Sequence, residues 1–297
     1  MLAWHPDDGT ITVPAITDGD TEALLRVAVD AHPDSPVHVT LTALARTLHV
    51  RGTEYALDST EQLLNESDVT EVLLLAARPT PNAAHDDPVS PLTQQRAWME
   101  ILGRTDSLAR RCVRTARMWD GGEHFPYSTT EQIRTPWGPT TWEWHRRLEK
   151  VPARLAPAAV DLVRRPGMTS YYTDPLTGAP AGVDEEGHLL ATVPHQLPTT
   201  SPLAEVILSD GVPWVRTEDS RLYLMPQTSG AGLSFGYVGT GPATLAVMIG
   251  RLLDDIQAPA VGSRSNLEPS SGLEKIAQAE HEHTVLSRAE LETARHR

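Results

Sequence analysis

Phe235-Gly236-Tyr237-Val238-Gly239-Thr240-Gly241-Pro242 stands directly before an apolar stripe of Leu245, Met248, Ile249, Leu252, Leu253 and Ile256. The stripe has the i, i+3, i+4, i+7 spacing of a helix with one buried face. A strand-to-helix crossing is therefore expected here. Pro242 suits the first position of a helix, where its missing N–H is no loss. Gly239 and Gly241 can take positive φ and let other backbone approach closely; Gly241 is the residue expected at positive φ. The N–H groups of residues 243–245 would face the turn, a setting that favours an anion. The motif is not a P-loop, since no Lys follows the last Gly. Nor is it a dinucleotide fingerprint, since Thr244 stands where the third Gly belongs. Two readings stay open. In one the glycines serve tight packing. In the other Tyr237 offers a stacking face, Thr240 its hydroxyl, and Gly239, Gly241, Ala243 and Thr244 line a site for a small anionic ligand.

Upstream of the turn, residues 204–208, 212–217 and 221–225 read as three short strands. Ser209-Asp210-Gly211 and Glu218-Asp219-Ser220 between them are good turn sequences. Residues 233–237 read as a fourth strand. Downstream, residues 257–271 form a polar loop with two Pro, and Ser287 with Glu290 three residues on is a capping box opening a last helix. The eight residues of the turn, with Leu245-Ala246 beyond and the tail Thr284-Val285-Leu286-Ser287-Arg288-Ala289-Glu290-Leu291, resemble a small-domain family found in bacteria, phages and plasmids. Its pattern is an aromatic residue, Gly-Tyr-x-Gly-Ser/Thr-Gly-Pro, then Leu-Ala in a helix. Val238 stands where that pattern often has Gly. The resemblance covers about the last hundred residues and implies no established activity.

The remaining chain divides by composition. Residues 1–78 read as a small acidic α/β unit. A strand is expected at 11–16, a helix on Leu24, Val27, Ala28 and Ala31, and a half-buried strand on Val37, Val39 and Leu41. Asp58 and Glu61 suggest a capping box, and Val69–Ala77 a buried strand. Residues 79–92 hold four Pro and read as a linker. Residues 93–172 read as a helical Arg/Trp-rich segment, with helices from Asp106 to Trp119, from Thr141 to Lys150 and over 157–164. Residues 173–203 read as a Pro/Gly loop, and 204–297 as a C-terminal β-meander followed by helices. The class is α+β.

The net charge is −14. Residues 1–100 carry 16 acids against 5 bases, residues 101–165 carry 12 bases against 7 acids, and residues 166–297 carry 16 acids against 8 bases. Such a chain repels nucleic acid overall, so any contact must be local to the basic middle. Only Lys150 and Lys275 are lysines; with the abundant Ala, Pro and Thr this points to GC-rich coding and weakens the Arg count as a sign of phosphate recognition. A single Cys112 excludes an intrachain disulfide framework. The first residues lack the basic and apolar regions of a signal peptide, and the longest apolar run falls far short of a membrane span. A soluble cytoplasmic protein without membrane contact is expected.

Other constellations carry little chemistry. His5-Pro6-Asp7-Asp8 resembles the metal-binding motif of zinc-dependent sugar deacetylases but lacks the preceding strand and a distal His-x-x-His. Residues 40–50 resemble the start of a helix-turn-helix with His49 in place of the turn Gly; strands are preferred there. Arg110, Arg114 and Arg117 share one helical ridge, and Trp142 and Arg146 follow, so residues 104–154 could stack and neutralise a single strand. The simpler account makes the Trp residues a core and the ridge a contact for an acidic protein surface. His281-Glu282-His283 reads as a solvated helix end, and Asp254-Asp255 as the end of the helix after the turn. No nucleophile, metal or cofactor site is located. The expected role is a non-enzymatic interaction or accessory protein with a protein partner or self-association, possible links to a mobile element resting on the motif. Ligand binding at 236–245 and nucleic-acid binding at 104–154 are the alternatives.

Overall fold

The computed structural model describes residues 2–4, 21–66, 73–75, 89–120, 125–228, 232–262 and 268–297. Residue contacts divide the chain into Met1–Asp120 and Gly121–Arg297. The first unit contains β1 (Leu2–Trp4), α1 (Thr21–Asp30), α2 (Pro36–Glu66), β2 (Leu73–Leu75), α3 (Pro91–Gly103) and α4 (Ser107–Asp120). Helix α1 buries Ala23, Leu24, Val27 and Ala28, three of them from the expected stripe, while Ala31 lies just past its end and is only half-buried. Helix α2 buries Val37, Leu41, Leu44, Ala45 and Leu48, α3 buries Ala97, Trp98, Ile101 and Leu102, and α4 buries Ala109, Cys112, Val113 and Ala116. Asp106 caps α4 by accepting from the Ala109 N–H at 2.9 Å. Strands β1 and β2 pair antiparallel.

The second unit runs β3 (Tyr127–Ile133), α5 (Pro139–Arg147), β4 (Glu149–Val151), β5 (Met168–Thr173), β6 (Pro180–Asp184), β7 (Leu189–Pro194), β8 (Leu203–Ser209), β9 (Val212–Thr217), β10 (Leu222–Leu224), α6 (Thr240–Asp254), α7 (Ser271–Gln278), β11 (His283–Ser287) and α8 (Arg288–Arg295). One antiparallel sheet has the order β3-β7-β6-β5-β4, the other β10-β9-β8-β11. Side chains alternate across each strand, and the second sheet uses both faces. Ile207, Trp214, Leu222 and Leu224 pack on Ile133, Leu189, Ala191 and Val193 of the first sheet, with Trp144 of α5 between. Val206, Leu208, Val215 and Tyr223 face the other way, onto Leu245, Ile249 and Leu252 of α6, Leu273 of α7 and Leu291 of α8. The far face of the first sheet is covered at Leu190 by Ala156, Val160 and Val163. The chain is thus α+β, with eight α-helices among the described residues.

Several local expectations are overturned. The strand expected at Val37, Val39 and Leu41 is the start of α2, which also contains Asp58 and Glu61 and runs through His49 without a turn. Weak β propensity yields here to a helical stripe packed on α1 and α3. Residues 173–203 are not a loop, nor are 93–172 all helical: β3 to β7 occupy them, and 157–164 holds only a 3-10 turn, Ala158–Leu162. The Gly and Pro punctuation marks turns: Gly178 and Gly187 sit in the β5–β6 and β6–β7 hairpins at φ of +70° and +82°, and Gly167, at +83°, in the turn leading into β5. The contact boundary at Asp120 also falls inside 93–172. Residues 233–237 are not a strand; β11 takes the place beside β8. The expected strand at 11–16, the His5–Asp8 motif and residues 79–88 of the linker lie outside the described residues.

Helices α7 and α8 meet at backbone distance. A Cβ on Gly272 would fall on the Ala294 carbonyl oxygen and lie 3.3 Å from the Ala294 Cα. Backbone cannot swing aside as a side chain can, so Gly272→Ala is expected to cost about 1–3 kcal/mol, read from the denaturant midpoint at constant m. Gly250→Ala in α6, where the nearest atom is Leu273 Cδ1 at 3.8 Å, should instead be neutral or stabilising by up to about 1 kcal/mol.

Candidate functional site

The Gly-rich turn is built differently from the expectation. The residue at positive φ is Gly236, at +90°, not Gly241. Its N–H donates to the Ala277 carbonyl at 2.9 Å, tying the turn to the end of α7. Gly239 is extended and is the N-cap of α6, so Pro242 is the third helical residue rather than the first. Gly241 is buried in the first turn of the helix. A Cβ there would fall on Ser234 Oγ and lie 2.8 Å from the Tyr237 hydroxyl. Those two oxygens are hydrogen-bonded at 2.8 Å. Gly241 therefore lacks a side chain because Ser234 and Tyr237 close over it.

This packing also decides which N–H groups are available. The Ala243 N–H donates to the Gly239 carbonyl at 3.3 Å, and the Thr244 hydroxyl donates to the Thr240 carbonyl at 2.8 Å. Pro242 has no N–H. Only Thr240 and Gly241 keep N–H groups without an intrahelical acceptor, and not residues 243–245 as expected. The outer tip is apolar and open: Tyr237 is 51% and Val238 82% exposed, and Thr240 is exposed too.

The basic ridge and the Trp-rich stretch belong to different units. Arg110, Arg114 and Arg117 lie on α4 of the first, and Trp142 and Arg146 on α5 of the second. Arg110, Arg111, Arg114 and Arg117 each already have an interaction within the chain, one being Arg111 with Glu22 at 3.8 Å. Burial holds the Arg117 guanidinium below its ordinary pKa. Cys112 on the inner face is a buried thiol pushed up to about 12 by burial, unsuited to nucleophilic chemistry.

Helix α5 carries a cluster that the sequence only half disclosed. Its N-cap, Gly138, has no capping side chain of its own. Asp210, in the β8–β9 turn, supplies one: it accepts from the Gly138 N–H at 2.8 Å and from the Thr141 hydroxyl at 2.6 Å. Trp137 meets the Trp142 ring at 4.8 Å and the His145 ring at 4.8 Å, and His145 meets Tyr172 of β5 at 5.0 Å. Trp142 remains 46% exposed. His145 Nε2 and Trp137 Nε1 have no hydrogen-bond partner among the described residues, and burial pulls the imidazole below its ordinary value of 6.5. Trp144, by contrast, is core, 5.8 Å from the ring of Trp214. Trp142 and His145 share a face by their i, i+3 spacing, which the sequence could have disclosed; Tyr172 joins them only through the pairing of β4 with β5.

The other candidates serve the fold. His281 bonds the Ile276 carbonyl and the Thr284 hydroxyl at 2.8 and 2.9 Å, and His283, in β11 rather than at a helix end, bonds Ser209 Oγ at 3.1 Å. Asp254 forms two bonds to Arg295, at 2.6 and 2.7 Å. Among the described residues no group of three His, Cys, Asp or Glu could hold a metal ion, and no helix is long and apolar enough to cross a membrane. Comparison with family models, curated proteins and solved structures finds no match.

Two outcomes check this geometry. Gly241→Ala should destabilise by about 1–3 kcal/mol, and Ser234→Ala in the same chain should recover part of that loss because the blocking oxygen is gone. A double-mutant cycle on denaturation midpoints reads the coupling, and strict additivity would contradict the packing. The His145 shift has a definite sign. Its folded pKa is lowered, so as pH falls through 6.5 the unfolded chain takes up the proton first and stability drops. Denaturant curves at falling pH should show that drop, and His145→Gln should lessen it.

Proposed function

We propose that this chain is a non-enzymatic, cytoplasmic interaction or accessory protein that meets its partner through the tip of the Gly-rich turn, at Tyr237, Val238 and Thr240. The observation that carries this reading is the contrast between the tip and its base. Val238 is 82% exposed, while Gly236, Gly241 and Ser234 behind it are held by the Ala277 carbonyl and the Tyr237 hydroxyl. An apolar residue on a fixed support loses little conformational entropy on binding, which favours it as a contact. The likeness of the motif to sequences from phages and plasmids supports a role on a mobile element.

An anion at this turn is the weaker reading. It would find the N–H groups of Thr240 and buried Gly241, with Ala243 already bonded to Gly239, where an effective anion site converges several such groups. Nucleic-acid binding along 104–154 is weaker again, since Arg110, Arg114 and Arg117 have interactions of their own and the chain is strongly acidic.

The test has two arms on the full chain. Screens with nucleotides, esters, phosphoesters and glycans should give no turnover; reproducible turnover abolished by Thr240→Ala would overturn the reading. Thermal denaturation with millimolar phosphate or nucleoside triphosphate should leave Tm unchanged. A rise in Tm removed by Thr240→Ala, itself neutral to folding, would replace the proposal with the anion site.

A further inference from the structure

The edges of the two larger sheets are not treated alike. Strand β4 carries Glu149 and Lys150 and is followed by Pro152, β3 is broken by an irregularity between Tyr127 and Thr129, and β10 is three buried residues. Charge, proline, bulges and shortness are the usual means of keeping an edge from pairing with another chain. Strand β11, His283-Thr284-Val285-Leu286-Ser287, has no proline, no bulge and no Asp, Glu, Lys or Arg within it, and runs in unbroken register with β8; its charges, Glu282 and Arg288, stand only at its two ends.

The hydrogen-bond parity of β11 follows from its neighbours. Asp210 and Gly211, at φ of +57° and +78°, make the two-residue turn between β8 and β9. Such a turn makes the flanking pair, Ser209 and Val212, exchange backbone bonds. Ser209 and Ile207 therefore turn their backbone groups to β9, and Leu208 and Val206 turn theirs to β11. Pro213 opposite Leu208 agrees, since that position needs no N–H toward β8. In β11 it is Thr284 and Leu286 that bond to β8. His283, Val285 and Ser287 point their N–H and C=O groups outward. The Ser287 N–H is taken by Glu290 Oε2 at 2.8 Å; for His283 and Val285 no backbone partner occurs among the described residues. Val285 is also 45% exposed.

We propose that this edge pairs with β11 of a second copy of the chain, antiparallel about Val285, making one continuous sheet from two. Val285 faces Val285 of the second copy as a bonded pair, and the His283 N–H reaches the Ser287 carbonyl of the second copy. The same register places exposed Glu282 opposite Arg288 of the second copy, the first residue of α8, whose Nη2 also donates to the Leu253 carbonyl at 3.0 Å and lies 3.6 Å from Glu292 of its own chain; the two-fold axis repeats that pair. The edge is thus self-complementary in charge as well as in backbone bonding, which a second copy supplies and an arbitrary peptide does not. It is independent of any partner at the Gly-rich turn.

The experiment is sedimentation equilibrium of the full chain at about 150 mM salt, where charges beyond about 8 Å are screened. The expected mass rises with concentration toward twice 32.4 kDa. Val285→Pro removes an outward N–H without breaking the pairing to β8, and should stay monomeric with the parent's circular dichroism. Glu282→Arg and Arg288→Glu should each weaken association by about tenfold, since each sets like charges opposite each other twice. Mixing these two variants restores both opposite pairs, so a heterodimer of parental affinity should form; a mere folding defect would not be rescued by mixing. A chain that stays monomeric up to about 100 μM, a dimer indifferent to Val285→Pro, or variants that mixing fails to rescue would overturn the proposal.

Discussion

The second unit depends on one side chain. Arg147, the last residue of α5, donates from Nε and Nη2 to the two carboxylate oxygens of Asp174 at 3.0 and 2.7 Å, and from Nη1 to the Leu222 carbonyl at 2.8 Å. Asp174 sits in the β5–β6 turn of one sheet and Leu222 in β10 of the other. A single planar guanidinium therefore ties both sheets to the helix between them. The fork suits a carboxylate in a way that an ammonium does not. The Asp174 side chain is only 2% exposed, so the carboxylate would be costly without its partner: removing one member of such a pair typically costs about 3–5 kcal/mol. Asp174 has further donors in the Leu176 N–H and the Thr177 hydroxyl. They complete its solvation and fix the turn that carries it.

The other polar contacts of α5 repeat this logic. Asp210 reaches across from the second sheet to cap the helix start, while Arg216 of β9 holds Glu143 with two bonds and Glu205 with one. The Arg216 bonds keep the Glu143 carboxyl below the usual range. Helix α5 is fixed at its start, middle and end by residues far away in the chain. Its inner face can then be devoted to Trp144 against Trp214, which fills the space between the sheets in a protein with only two Phe. Its outer face is left with Trp142 and His145, against which Trp137, just before the helix, packs. Trp142 and Trp144 thus lie on two different faces of one helix, with Trp137 just before it.

Legibility in the sequence followed how local the determining physics is. The meander strands, the helix α6 stripe and the Ser287–Glu290 capping box were readable because each is set within a few residues; the box forms with Glu290 Oε2 accepting from the Ser287 N–H at 2.8 Å. The first sheet was not readable. Its strands are short, and β7 is buried along its whole length, so Leu189 and Leu190 face opposite cores without polar alternation. Strand β11 was hidden for a related reason: Thr284 and Leu286 carry too little pattern to announce a strand, and only pairing with β8 defines it. The start of helix α2 reads as a strand because Val37 and Val39 favour strands locally, whereas Val37, Leu41, Leu44 and Leu48 are selected by packing.

The Gly-rich turn shows where motif reading meets its limit. A Gly-x-Gly before a helix signals that backbone comes close to something, and the pattern cannot say whether that something is a ligand or the chain itself. Here Ser234 and Tyr237 answer for Gly241, and the Ala277 carbonyl answers for the Gly236 N–H. Both answers lie in side chains and carbonyls that periodicity does not weigh. An anion site would require the first-turn N–H groups to converge on open space. Pro242 removes one, Ala243 bonds back to Gly239, and Gly241 is buried. What stays outside is the apolar surface of Val238, the exposed part of the Tyr237 ring and Thr240, whose N–H has no intrahelical acceptor.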